Sequence, residues 1–205
     1  MRNPHAVTKE FEAALCDFTG AKYAVAVNSC TAALMLAAAW FRHGLMMPRG
    51  AIEVSLPKLT YVGVPASFVN AGYEVTWRDE DWHGEYQCHP LPLWDSARRF
   101  TFGMFRPGHM QCLSFHRTKI LSDTQGGAII HDNDAADQWL RRARFDGRAD
   151  GVPVAEDTIQ TPSWHCYISP DVSARLLWAL HGLPKQNADL PRSDYPDLST
   201  MKAFK

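Results

Sequence analysis

Ala24-Val25-Ala26-Val27 leads through a turn, Asn28-Ser29-Cys30, into a stretch from Thr31 to about Phe41 that is apolar on nearly every side: Ala32, Ala33, Leu34, Met35, Leu36, Ala37, Ala38 and Ala39. A helix at the surface needs a polar face, so a helix without one has to be buried. A short buried strand running into a buried helix is the pattern of a sheet covered by helices. It recurs along the chain. Residues 8–18 form an amphipathic helix with Thr8 as its cap and Phe11, Ala14, Leu15 and Phe18 on one face. Strands are expected at Ile52 to Leu56, Tyr73 to Trp77, Leu91 to Trp94, Gln111 to Phe115 and Ala128 to His131, and helices at about Thr60 to Asn70, Asp134 to Phe145 and Asp171 to Leu180. Pro65 belongs to a first turn or a kink, and Asp171 after Pro170 is read as a cap. Arg78 to Pro90 is polar and short, and is read as a loop. Residues 146–170 are irregular, with Gly147, Gly151, Pro153, Pro162 and Pro170. Strands alternating with helices predict an α/β fold with a mainly parallel sheet.

At 205 residues the chain is expected to form one domain with extensions. A formal net charge of -1 leaves no general basic field for nucleic acid or membrane. Met1-Arg2-Asn3-Pro4-His5 lacks the apolar run of a signal peptide, and no segment is apolar over a membrane-spanning length. Five scattered cysteines, Cys16, Cys30, Cys88, Cys112 and Cys166, point to reduced thiols in a cytoplasm.

Chemistry is expected at the C-terminal ends of the strands, where ligands bind in open α/β sheets. Three places lie there. The Asn28–Thr31 turn offers backbone N–H groups and the Ser29 and Thr31 hydroxyls to a phosphate, or these residues simply cap the helix. Asp95 ends an apolar strand. Burying it alone is costly, so it is either paired with Arg98 or Arg99, or faces a cationic ring nitrogen. Ser114-Phe115-His116-Arg117-Thr118-Lys119 puts a lysine amine between two strands, where it could bind an aldehyde. An aspartate, a phosphate cradle and a strand-end lysine are the parts that hold pyridoxal phosphate. His83, Cys88, His89 and Cys112 fit no common zinc spacing. The tryptophans do not cluster and are read as core or interface. Arg141, Arg142, Arg144 and Arg148 form either a solvated helix face or contacts to phosphates.

The set of segments resembles the DegT/DnrJ/EryC1/StrS sugar-aminotransferase family of fold type I pyridoxal-phosphate enzymes. Phe11 to Leu34 is similar to the family's opening and its phosphate turn; Pro57-Lys58-Leu59-Thr60-Tyr61 to its Pro-x-x-Thr-aromatic segment; Trp94-Asp95-Ser96-Ala97 to its Glu-Asp-Ala-Ala motif; Ser114 to Ile130 to its Ser-Phe-x-x-x-Lys and Gly-Gly-Ala motif; and Arg141 to Gly147 to its Arg-rich stretch. The resemblance implies a pyridoxal-phosphate transferase-like large domain, a mixed sheet between helices, over residues 1–183. Residues 184–205 would then be a tail, with the small C-terminal domain reduced or absent. It implies that Lys119 forms the aldimine and moves protons, that Asp95 pairs with the pyridine nitrogen, that Tyr61 stacks on the ring, and that Ser29, Cys30, Thr31 and Ser114 hold the phosphate. Arg98 stands where the family has a glutamine at the cofactor's 3-oxygen. His116 orients cofactor or substrate, or fills the strand end. A homodimer is implied, with a keto-sugar or carrier-linked substrate. The shortening implies an open site that would suit a bulky substrate, nucleic acid included. Decarboxylation of an amino-acid group on such a substrate, or a non-catalytic binding module on the same fold, are the alternatives.

Overall fold

A computed structural model describes residues 4–44, 52–159 and 163–204; Pro162 and the first three residues lie outside them. In chain order the elements are α1 (Ala6–Thr19), β1 (Tyr23–Val27), α2 (Cys30–Ala39), β2 (Ile52–Pro57), α3 (Gly63–Asn70), β3 (Tyr73–Arg78), β4 (Tyr86–Gln87), β5 (Leu93–Asp95), β6 (Met110–Ser114), β7 (Gly127–His131), α4 (Asp134–Ala143) and α5 (Pro170–His181). A wide π-type turn, Trp40–Gly44, continues α2. Pro65 falls in the first turn of α3.

The α/β class with a mixed sheet holds. Five strands pair in the order β1-β7-β6-β5-β4, and β2 and β3 form a second, parallel pair. The two groups meet at an antiparallel bridge between Ser55 and His89. The sheet is less parallel than the alternation of elements predicts: β5 and β6 run parallel, but β1–β7, β6–β7 and β4–β5 are antiparallel. The reason lies in the connections. A parallel return needs a crossover; residues 96–109 make one without a helix, whereas residues 115–126 and 88–92 turn back beside the strand they left.

Alternation on each strand divides the core between two faces of the sheet. Val25, Val27, Cys112 and Ile129 pack with α2 and α3, while Ala24, Ala26, Leu113, Ala128 and Ile130 pack with Phe11 and Leu15 of α1 and Leu176 of α5. Helices therefore cover both faces, and this is why the strands read as continuous apolar runs. Ala33, Leu36, Ala37, Ala38 and Ala39 of α2 have no exposed surface.

Four local expectations change. Thr8 is not a cap: α1 begins two residues earlier, and the buried Thr8 hydroxyl bonds that of Ser173 at 3.0 Å. Asp171 is not a cap either. Ser169 holds that position, and Asp171 pairs with Arg175 one turn on. The stretch from Arg78 to Pro90 is not all loop, since it contains β4. The basic end of α4 is not a solvated face. Arg141 and Arg144 reach across to the buried Glu12 of α1, at 2.7 Å from Arg141, and Arg144 also bonds the Ala26 carbonyl. Arg142 bonds Asp157 and the Gly147 carbonyl. These bonds leave little for phosphates.

After α5 the chain returns over the molecule. Gly84 N–H donates to the Leu190 carbonyl, Arg99 pairs with Asp189 at 2.7 Å, and Lys58 pairs with Asp197.

Candidate functional site

Strand direction brings the site together. β5 and β6 are parallel, so Asp95 and Ser114 end at one edge. β7 is antiparallel to both β6 and β1. The start of β7 and the end of β1 therefore lie at that same edge, and α2 begins there. Gly127 makes this closeness possible. A Cβ on it would stand 2.5 Å from backbone atoms of Ser29 and Cys30, so only glycine lets β7 approach the turn before α2.

A cavity of about 330 Å³ opens at this edge. Ser29, Cys30, Thr31, Tyr61, Asp95, Arg98, Ser114, His116 and Lys119, every site residue named from the sequence, line it. Its size is at the lower end for small-molecule sites.

Lys119 stands on the loop between β6 and β7. The loop is pinned by bonds from Lys119 N–H to the His116 carbonyl and from Asp123 N–H to the Phe115 carbonyl, both 2.8 Å, and by the buried Phe115 and Leu121. Burial, followed by the nearby Arg98 guanidinium, holds the Lys119 amine below its usual value of 10.5, against the pull of Asp95.

Asp95 is buried. Its Oδ2 accepts from the Tyr86 hydroxyl at 2.8 Å and its Oδ1 from Ala97 N–H at 3.0 Å. Burial pushes its carboxyl above the usual 3.8, opposed by those two donors, Lys119 and Arg98. The Cys30 Sγ lies 4.0 Å from Asp95 Oδ1, and burial beside that carboxylate raises the thiol well above 9.0. That shift disfavours the thiolate.

The Ser29 hydroxyl accepts from Ala32 N–H at 3.1 Å. Ser29 is therefore the cap of α2, and Thr31 is not; Thr31 follows one residue inside the helix with its side chain on the cavity. Tyr61 is exposed at the mouth, its ring 6.4 Å from that of Tyr195. His116 is exposed, with Nδ1 3.1 Å from the Thr118 hydroxyl. Arg98 is not ion-paired with Asp95. Its guanidinium donates to the Pro191 carbonyl at 2.7 Å and to the Ser193 hydroxyl, tying the returning tail to the cavity wall.

Sequence reasoning missed Thr60, Trp82, Tyr86, Ser193 and Tyr195, all beside the cavity or its aspartate. Thr60 lay in a motif already quoted. Tyr86 lies on a two-residue strand, too short to leave an alternating pattern, and Ser193 and Tyr195 come from the tail.

A comparison with curated proteins finds no match. Solved structures do match. PseC of Helicobacter pylori, an aminotransferase of pseudoaminic acid biosynthesis, superposes with a TM-score of 0.71 at 16% identity, over 85% of this chain and 57% of that one. AtS13 of Actinomadura melliaura gives 0.75 at 18%, over 86% and 59%. DesV of S. venezuelae, solved with a ketimine intermediate, gives 0.66 at 20%, over 85% and 56%. The chain thus spans less than three fifths of the length of these proteins, and shares their fold. Residues 3–85 match the model of the DegT/DnrJ/EryC1/StrS aminotransferase family, and so the resemblance carried by the motifs stands on a family match in the first part of the chain and on a shared fold through the rest.

Proposed function

We propose that this chain binds pyridoxal phosphate and acts as an aminotransferase toward a keto group on a sugar or a carrier-linked small molecule. One observation carries the reading. Residues singled out from separate motifs, with a lysine amine and a buried aspartate among them, line a single cavity. The fold shared with solved proteins described as sugar aminotransferases supports it.

The side chains suit that cofactor. A buried carboxylate that holds two neutral donors and, among the described residues, forms no ion pair suits a protonated pyridine nitrogen. The first N–H groups of α2 have no partner within the helix and, with the Thr31 and Ser114 hydroxyls, suit a phosphate. When bound, the cofactor supplies an aldehyde and an electron sink.

The protein's own groups then have distinct tasks. Lys119, depressed by burial, offers a neutral amine at lower pH than a solvated lysine, both to hold the aldehyde and to move a proton at the substrate carbon. Asp95 keeps a proton on the ring nitrogen. Tyr61 flanks the mouth. Arg98 is engaged by the tail, so it forms wall instead of replacing the family's glutamine. We read residues 184–204 as a tail that closes one side of the site. A homodimer accompanies the reading, because the family's sites lie between subunits.

Purified protein given pyridoxal phosphate is expected to gain absorbance in the imine region, lost in Lys119→Ala, and to release the keto acid of glutamate beyond one equivalent per site only when a keto-sugar acceptor is present to take the amino group. A protein that stays colourless overturns the cofactor. Carbon dioxide release without an acceptor overturns transamination. Sedimentation should show a dimer; a monomer with full cofactor occupancy contradicts that part.

A further inference from the structure

Asp95 has a partner on the neighbouring strand that the family resemblance does not supply. In the β4–β5 pair Tyr86 stands directly opposite Asp95, so both side chains leave the same face. Tyr86 is 1% exposed and Asp95 5%. The Tyr86 Oη lies 2.8 Å from Asp95 Oδ2 and 2.6 Å from Thr60 Oγ1. Chemistry fixes the direction of this chain. An ionised carboxylate only accepts, so the one phenolic proton goes to Asp95, and Tyr86 must accept from the Thr60 hydroxyl. Each bond polarises the next. Thr60 is buried too. The Trp82 ring packs edge-on to Tyr86 at 4.8 Å and is anchored through Nε1 to the Leu59 carbonyl, which keeps the phenol from swinging away.

The other groups facing Asp95 are Lys119 and Arg98, which are cationic, and the thiols of Cys30, Cys88 and Cys112, which burial keeps neutral. Lys119 is needed for chemistry and Arg98 is tied to the tail. Tyr86 and the Ala97 N–H are the hydrogen-bond donors to the Asp95 oxygens.

We infer that Tyr86, backed by Thr60, is a positioning residue that aims Asp95 into the cavity and keeps it anionic for a cationic ligand group. The identity of that group as a pyridinium nitrogen rests on the function proposed above; the effect on Asp95 does not.

Two measurements separate the claims. In cofactor-free protein, the Asp95 carboxyl is followed by carbon-13 NMR and assigned with Asp95→Asn. Tyr86→Phe should raise its titration midpoint, and Thr60→Val should raise it by less. Second, affinities are compared for pyridoxal phosphate and its analogue with carbon in place of the ring nitrogen. The wild type should prefer the nitrogen compound. Tyr86→Phe should cut that preference on the order of tenfold, and Asp95→Asn should abolish it. A purely structural role would lower the melting temperature and leave both readouts unmoved. An unchanged midpoint and ratio in a folded Tyr86→Phe protein overturn the inference. Should that variant fail to fold, Thr60→Val, which retains the phenol, decides by the same two readouts. If wild-type protein binds neither compound, the proposed function fails while the titration still judges Tyr86.

Discussion

A lysine between two strands is ordinarily a solvated charge. Lys119 differs because its loop is fixed at Phe115 and Leu121 and because Arg98 stands near its amine. Its partner Asp95 was legible in the sequence as a carboxylate closing an apolar run, which always demands compensation. What compensates it was not legible, since Tyr86 comes from a strand too short to show a period. Asp95→Asn keeps the shape and removes the charge; affinity for pyridoxal phosphate should fall by about tenfold or more, measured by equilibrium binding. His131 makes a different residue-scale prediction. It is fully buried at the end of β7, and burial pushes its imidazole down to about 4. The unfolded chain takes up that proton near the ordinary 6.5 and the folded one does not. Stability is therefore expected to fall as pH drops from 6.5 toward 4, by on the order of 3 kcal/mol from this residue. Urea titrations across that range should show a flatter profile for His131→Phe; an identical slope would reject the assignment.

At the level of elements, the helices and strands were readable from apolar periodicity, and strand direction was not. Direction depends on whether a connection crosses over, and the segment holding Lys119 looked like any other link. The Arg-rich end of α4 shows the same limit. Sequence places Arg141 and Arg144 on a helix, but only packing brings Glu12 of α1 between them. Burial opposes ionisation of Glu12, yet the two arginines and the Ala26 N–H outweigh it and hold the carboxyl below 4.5. The stability it gives is full above 4.5 and is lost as pH falls through the lower folded value. Glu12→Gln takes from Arg144 its carboxylate partner and leaves Arg141 with Asp137 alone. It should cost about 3 kcal/mol or more, and chemical denaturation should show a weaker acid dependence. Gly127→Ala tests the contact between β7 and the turn before α2. Its Cβ would meet backbone, which cannot rotate away. A drop in melting temperature together with weaker cofactor binding is expected, whereas a substitution that only perturbed β7 would spare binding.

For the whole molecule, the sheet edge, the cap of α2 and the returning tail matter together. The first two were foreseen from the turn at Asn28 and the strand ends. The tail was read only as what is left where the small domain is reduced; Ser193 and Tyr195 reach the cavity, and Arg98 anchors the tail at Pro191 and Ser193. Such a long-range return leaves no local pattern, because its contacts lie nearly a hundred residues away in sequence. No helix among the described residues is long and apolar enough to cross a membrane. The central claim is that this edge holds pyridoxal phosphate through one lysine. Incubation with the cofactor, reduction with borohydride and peptide mapping by mass spectrometry test it most directly. The account predicts a single reduced cofactor adduct on the peptide carrying Lys119, absent from Lys119→Ala. No adduct, or one spread over exposed lysines such as Lys9 and Lys22, would contradict it.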